Sequence, residues 1–148
     1  RERHADLFKE IRATGAQLEL MGDGDVSGAI WAARPDGPFD LLMGIGAAPE
    51  GVISAAAIRG LGGVFEGRLV FRSEEEEARA EHMVGDDLTR LWQAHDLCKS
   101  DDAIFAASGV CDGYLPGAIL GDSTTTTFSE IIDVQSGTVR RIETTRKL

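Results

Sequence analysis

The chain has 148 residues, 43% of them hydrophobic and 27% charged, which suits one water-soluble domain with a real core. A formal net charge of -10 argues against a nucleic acid or an anionic membrane as partner, because no basic face exists to release counterions. The two cysteines, Cys98 and Cys111, lack CxxC spacing, no signal-like stretch occurs, and no apolar run approaches the roughly 20 residues of a membrane span. Reduced thiols and a cytoplasmic location are therefore expected.

The chain opens on Arg1-Glu2-Arg3-His4 without an initiator methionine, which reads as a fragment of a larger protein. Leu7, Phe8 and Ile11 recur at helical spacing through residues 2–14, with Gly15 as the stop. Residues 17–21 alternate like a strand and lead into the acidic turn Gly22-Asp23-Gly24-Asp25-Val26. A short apolar helix over 26–33 follows, ending before the proline- and glycine-marked loop 34–38.

Residues 39–43 form an apolar run typical of a buried parallel strand. The second acidic turn, Gly44-Ile45-Gly46-Ala47-Ala48-Pro49-Glu50-Gly51, then gives way to a helix over 52–61, with Pro49 placed as a first-turn proline. Residues 64–71 read as a strand, Ser73 with Glu74 to Glu77 as a helix start, residues 88–97 as a further helical stretch, and residues 103–108 as a buried strand. A third glycine-rich turn, Gly109-Val110-Cys111-Asp112-Gly113, comes next. Residues 124–134 and 138–145 alternate like strands about the turn Gln135-Ser136-Gly137. Alternating strand and helix predicts an α/β fold, a layered αβα unit with a mixed, largely parallel sheet, and one domain over 1–148.

In such a fold the two acidic turns bring Asp23, Asp25 and Glu50 to the crevice beyond the strand ends. Carboxylates there suit hard divalent cations and sugar hydroxyls, since both want oxygen acceptors, and repel bare phosphate unless a cation intervenes. Each turn also has a plainer reading, as a helix cap or a dipole-stabilising acid. Gly22-x-Gly24-x-x-x-Gly28 is not a dinucleotide fingerprint, because its last glycine falls one position late. Arg1, Arg3 and His4 fit either a solvated surface or a phosphate clamp, in which guanidinium meets phosphate oxygens in pairs. His82 and His95 have no partner spacing, and no nucleophile elbow occurs.

The order and spacing of these pieces resemble the C-terminal half of class II fructose-1,6-bisphosphatases, metal-dependent sugar-bisphosphate phosphatases of bacteria. The matching stretches are Arg3-His4, Asp23-Gly24-Asp25-Val26, Gly44-Ile45-Gly46 with Pro49-Glu50-Gly51, and Ala55-Ala56-Ala57-Ile58-Arg59. They continue through Gly67-Arg68-Leu69, Gly109-Val110 with Asp112-Gly113, and residues 136–142, leaving out only 73–95. The resemblance implies the sugar-phosphatase fold and hydrolysis of the 1-phosphate of fructose 1,6-bisphosphate, in some members also of sedoheptulose 1,7-bisphosphate. It implies Glu50 as a ligand of Mn2+ or Mg2+. Asp23, Gly24 and Asp25 would bind the sugar, the Arg1-Glu2-Arg3 segment would hold the distal phosphate, and the backbone at position 47 would approach the substrate.

The family usually has glycine where this chain has Ala47, threonine where it has Cys111, and a small or acidic residue where it has Tyr114. Its other metal-binding acids and catalytic threonine lie in an N-terminal half that this sequence does not contain. The resemblance therefore implies a chain inactive by itself, working with that half in a homo-oligomeric enzyme. The rival reading is a non-catalytic sugar-phosphate-binding module.

Overall fold

The computed structural model describes residues 2–85 and 87–148. It is an α/β structure in which helices α1 (Ala5–Ala13), α2 (Asp25–Ala33) and α3 (Ala48–Leu61) precede most of the sheet. A two-residue strand β1 (Glu66–Gly67), helix α4 (Glu74–Val84), strand β2 (Trp92–Gln93) and a one-turn helix α5 (Ala94–Leu97) follow. The main sheet comprises β3 (Ile104–Ser108), β4 (Ile119–Leu120), β5 (Thr124–Asp133) and β6 (Val139–Lys147). No helix is long and apolar enough to cross a membrane among the described residues.

The helix signals act as read. Gly24 takes φ +84 before α2, a left-handed conformation that glycine adopts without strain. Ser73 caps α4 by accepting the Glu76 N–H at 3.3 Å. Gly62, at φ +71, ends α3. The turn Gln135-Ser136-Gly137 joins β5 to β6, with Asp133 accepting the Ser136 N–H at 2.8 Å. That bond chiefly, together with the Ser136 hydroxyl, holds the Asp133 carboxyl below its ordinary pKa.

The sheet departs from expectation. Among the described residues every pairing is antiparallel: β3 with β5, β4 with β5, β5 with β6, and β1 with β2. Residues 17–21 and 39–43, read as strands, have no ladder among the described residues, and the expected strand over 64–71 shrinks to β1. Leu20 is 52% exposed and Leu41 is 70% exposed. The two segments nonetheless converge on α2: a Cβ placed on Gly28 would lie 2.9 Å from Met21 Sδ and 3.2 Å from Leu42 Cδ1. Apolar alternation marks which side chains seek burial, whereas a strand also needs a hydrogen-bonding neighbour. The expected helix over 88–97 is likewise reduced to α5, with β2 in front of it.

The core lies where α2 and α3 cover one face of the sheet. Ile30, Ala57, Phe105 and Ile132 form its centre. Phe105 is paired with Ile132 and Ala107 with Glu130 in the β3–β5 ladder, so these four share that face. Small residues, Gly28, Ala29, Ala55, Ala57 and Gly60, let helices and sheet approach closely. A Cβ on Gly60 would stand 2.4 Å from Ile132 Cγ2. Ile104 and Ala106, pointing to the other side, are exposed. Helices α2 and α3 thus form a layer over one face of the sheet.

Candidate active-site half

The first three pieces of the site meet at the loop 44–47. Arg3 donates Nε and Nη2 to the Ile45 carbonyl at 2.9 and 2.7 Å. The Ile45 N–H donates to His4 Nε2 at 3.0 Å. One backbone unit is therefore held from both its donor and its acceptor by adjacent residues of the N-terminal segment, which fixes the loop against rotation. Sequence spacing left Arg3 and His4 open between surface and phosphate clamp. In the structure they grip the second acidic turn. Glu2 lies in the short 3-10 turn 2–4 and is exposed. Arg1, expected beside Arg3, falls outside the described residues.

The two acidic turns abut. A Cβ on Gly46 would be 3.1 Å from Asp25 Oδ2, so the missing side chain at 46 leaves room for the carboxylate. Asp25 is the first residue of α2, and its Oδ1 lies 3.1 Å from the Val26 N–H. Asp23 sits one residue before the cap Gly24 and is exposed. Ala47 is the N-cap of α3, with extended φ and ψ of -85 and 153. Its carbonyl accepts the Gly51 N–H, so its backbone is committed to starting the helix.

Glu50 lies in the first turn of α3. Its Oε2 is buried and has no hydrogen-bond partner. A buried carboxylate oxygen left so is costly, and a bound cation removes the cost. This fits the ligand role expected of Glu50. The described residues hold no group of three or more His, Cys, Asp or Glu able to take a metal ion, so Glu50 fits as one ligand of a shell whose remainder comes from elsewhere.

A fourth constellation was not anticipated. Glu130, on β5, has no solvent exposure. It accepts Arg34 Nη2 at 2.8 Å, Arg141 Nε at 2.9 Å and the Tyr114 hydroxyl. Arg34 Nε also donates to the Tyr114 hydroxyl at 2.8 Å. Burial opposes ionisation of Glu130 most strongly, yet the bonds from Tyr114, Arg141 and Arg34 together outweigh it and hold the carboxyl below the usual glutamate range. Burial and the Glu130 bond push the Tyr114 phenol up. The sequence carries one signal for this network: a glutamate flanked by Phe128, Ile131 and Ile132 within β5.

Beside Asp23 opens a cavity of about 490 Å3. The turn 23–27 forms one wall, and the loop from Ser108 to Leu115 forms the other. Cavities of this size suit small organic ligands.

Comparison with known proteins agrees with the motif reading. The family model described as "Bacterial fructose-1,6-bisphosphatase, glpX-encoded" matches residues 1–146. A D-fructose 1,6-bisphosphatase class 2/sedoheptulose 1,7-bisphosphatase 1 of Acaryochloris marina is 44% identical over 100% of this chain and 46% of its own length. Proteins named D-fructose 1,6-bisphosphatase class 2/sedoheptulose 1,7-bisphosphatase from Gloeobacter violaceus and a Synechococcus strain are 38% and 40% identical, each over 97% of this chain and 45% of its own length. The chain spans about half the length of the curated relatives it matches. With the acidic turns, the Arg3–His4 grip and the orphaned Glu50 oxygen in place, and a family match running almost from end to end, this chain belongs to the bacterial fructose-1,6-bisphosphatase family.

Proposed function

We propose that this chain is the sugar-phosphate-binding half of a class II fructose-1,6-bisphosphatase that removes the 1-phosphate, and that it supplies one ligand to a catalytic Mn2+ or Mg2+. The observation that carries the reading is the junction of the two acidic turns, where Asp25 Oδ2 stands in the space that glycine leaves at position 46. Asp23 and Asp25 accept the sugar hydroxyls, and Gly24 lets the backbone come close to the ring. Arg3 keeps its guanidinium beside the same loop, and together with Arg1 and Glu2 this segment receives the distal phosphate. The backbone at Ala47 borders the ligand. Glu50 holds the metal through its buried oxygen.

When bound, the cation offsets phosphate charge and acidifies the attacking water. The remaining ligands and the catalytic groups belong to the N-terminal portion of the complete enzyme, a cytoplasmic homo-oligomer in this reading. The same chemistry serves the seven-carbon bisphosphate named for the relatives.

The test is phosphate release from fructose 1,6-bisphosphate by the complete protein with Mn2+. Glu50→Gln is expected to abolish metal-dependent release while leaving the circular dichroism spectrum unchanged. If the wild-type protein binds the bisphosphate yet releases no phosphate, the non-catalytic binding module is the correct reading. Undiminished turnover in the Glu50→Gln protein would remove Glu50 from the ligand set.

A further inference from the structure

The loop 109–115 faces the Asp23 turn across the cavity. We propose that this loop, with the ring of Tyr114 and its neighbour Trp31, is the second wall of the sugar site and that it receives the hydroxylated ring and not a phosphate. The inference rests on the sugar-bisphosphate reading above and specifies which part of the ligand goes where.

Three observations carry it. The first is charge. Asp23 on one wall and Asp112 on the other are both carboxylates, which accept hydroxyl protons and repel phosphate oxygens. The Arg3 guanidinium lies at the Ile45 loop, bonded to the Ile45 carbonyl, and Arg34 is held behind Tyr114 by Glu130.

The second is surface type. Trp31 and Tyr114 both line the cavity, their ring centroids 5.9 Å apart with planes at 73°. A sugar ring presents an apolar C–H face and a polar edge, so an aromatic floor with acidic rims matches both.

The third is rigidity. Tyr114's hydroxyl is occupied by Glu130 and Arg34, so the residue offers the cavity its ring and keeps its polar end turned inward. Asp112 Oδ1 accepts the Gly117 N–H at 2.8 Å, which fixes the loop while its carboxylate stays exposed. A wall held at both points is ordered before the ligand arrives, which lowers the entropic cost of binding.

Cys111 makes the proposal directly testable, since it is an exposed thiol on this wall while Cys98 lines a different cavity. The full chain is labelled with a maleimide, and the rates at both cysteines are followed by mass spectrometry. Fructose 1,6-bisphosphate is expected to slow labelling of Cys111 and leave Cys98 unchanged, whereas inorganic phosphate at equal concentration slows neither. Asp112→Asn and Tyr114→Ala should each raise the bisphosphate concentration needed for protection by about 3- to 10-fold, and Tyr114→Phe, which keeps the ring, by less. Asp112→Asn retains the acceptor for Gly117, so its effect is readable even if Tyr114→Ala fails to fold.

Equal protection by phosphate would overturn the proposal. So would calorimetric binding of the bisphosphate with Cys111 still labelled at its free rate; in that case the sugar-bisphosphate reading stands and only the wall assignment falls. Absence of any bisphosphate binding overturns both.

Discussion

Tyr114 donates its hydroxyl to Glu130, a carboxylate with no solvent exposure that also takes one guanidinium from the α2 end and one from β6. The side chain of Arg34 is only 14% exposed, so it depends on that carboxylate for its charge partner. Glu130→Ala strands a buried cation and is expected to lower the unfolding free energy by about 3 kcal/mol. Urea denaturation of wild type and variant measures the difference. A loss below about 1 kcal/mol would mean that water replaces the carboxylate easily.

The same carboxyl gives stability a pH dependence of known sign. Its folded pKa lies below its ordinary value of 4.5, so the folded state binds fewer protons than the unfolded state near that pH. The contribution is complete above the unfolded pKa and is lost as pH falls through the folded one. Thermal unfolding from pH 6 to pH 3 should show this decline, and Glu130→Gln should flatten it. An unchanged slope in the variant would assign the acid sensitivity to other carboxylates, such as Asp133.

Gly60 is where α3 meets the sheet most closely. Gly60→Ala drives a Cβ to within 2.4 Å of Ile132 Cγ2 and 3.4 Å of the Asp133 carbonyl, although alanine is the better helix former. Overpacking is expected to win and to cost about 1–3 kcal/mol. Pairing it with Ile132→Val should recover part of the loss, since the two residues touch and their effects are not additive. Denaturant midpoints of the single and double variants decide this.

Gly46→Ala is the corresponding change at the site. The added methyl meets Asp25 Oδ2 at 3.1 Å, and the carboxylate has to move by some tenths of an ångström. Stability should change by less than about 1 kcal/mol, because the position is exposed. Bisphosphate binding, measured by calorimetry, should weaken about tenfold through the displaced acceptor. Equal affinity in the variant would show that Asp25 does not contact the ligand.

Local chemistry was readable wherever neighbours in sequence decide it. The helices starting at Asp25 and Ala48, the Ser73 cap and the Gln135-Ser136-Gly137 hairpin all follow from caps, prolines, glycines and alternation within a few residues. The stretches 17–21 and 39–43 show the limit. Their apolar pattern resembles that of strands, but a ladder is a property of two segments, and the pattern of one cannot name the other. The site divides the same way. Motif order assigned Asp23, Asp25 and Glu50 to one crevice, whereas the close approach of Asp25 to Gly46 appears only in the structure. The Glu130 network stayed hidden because its members are 80 to 96 residues apart in the Arg34 contacts and sit in separate motifs.

Helix α3 joins two requirements that sit far apart. Ten residues separate Gly60, pressed on Ile132, from Glu50, whose buried oxygen waits for a partner, and at 1.5 Å per residue that is about 15 Å. A helix is stiff over that length, so it behaves as a lever with its seat in the core and its tip in the crevice. The tolerance to which one glycine meets one isoleucine thereby sets the aim of the carboxylate. If Glu50 holds the metal as proposed, selection on catalysis would also act on Gly60, a residue of the core.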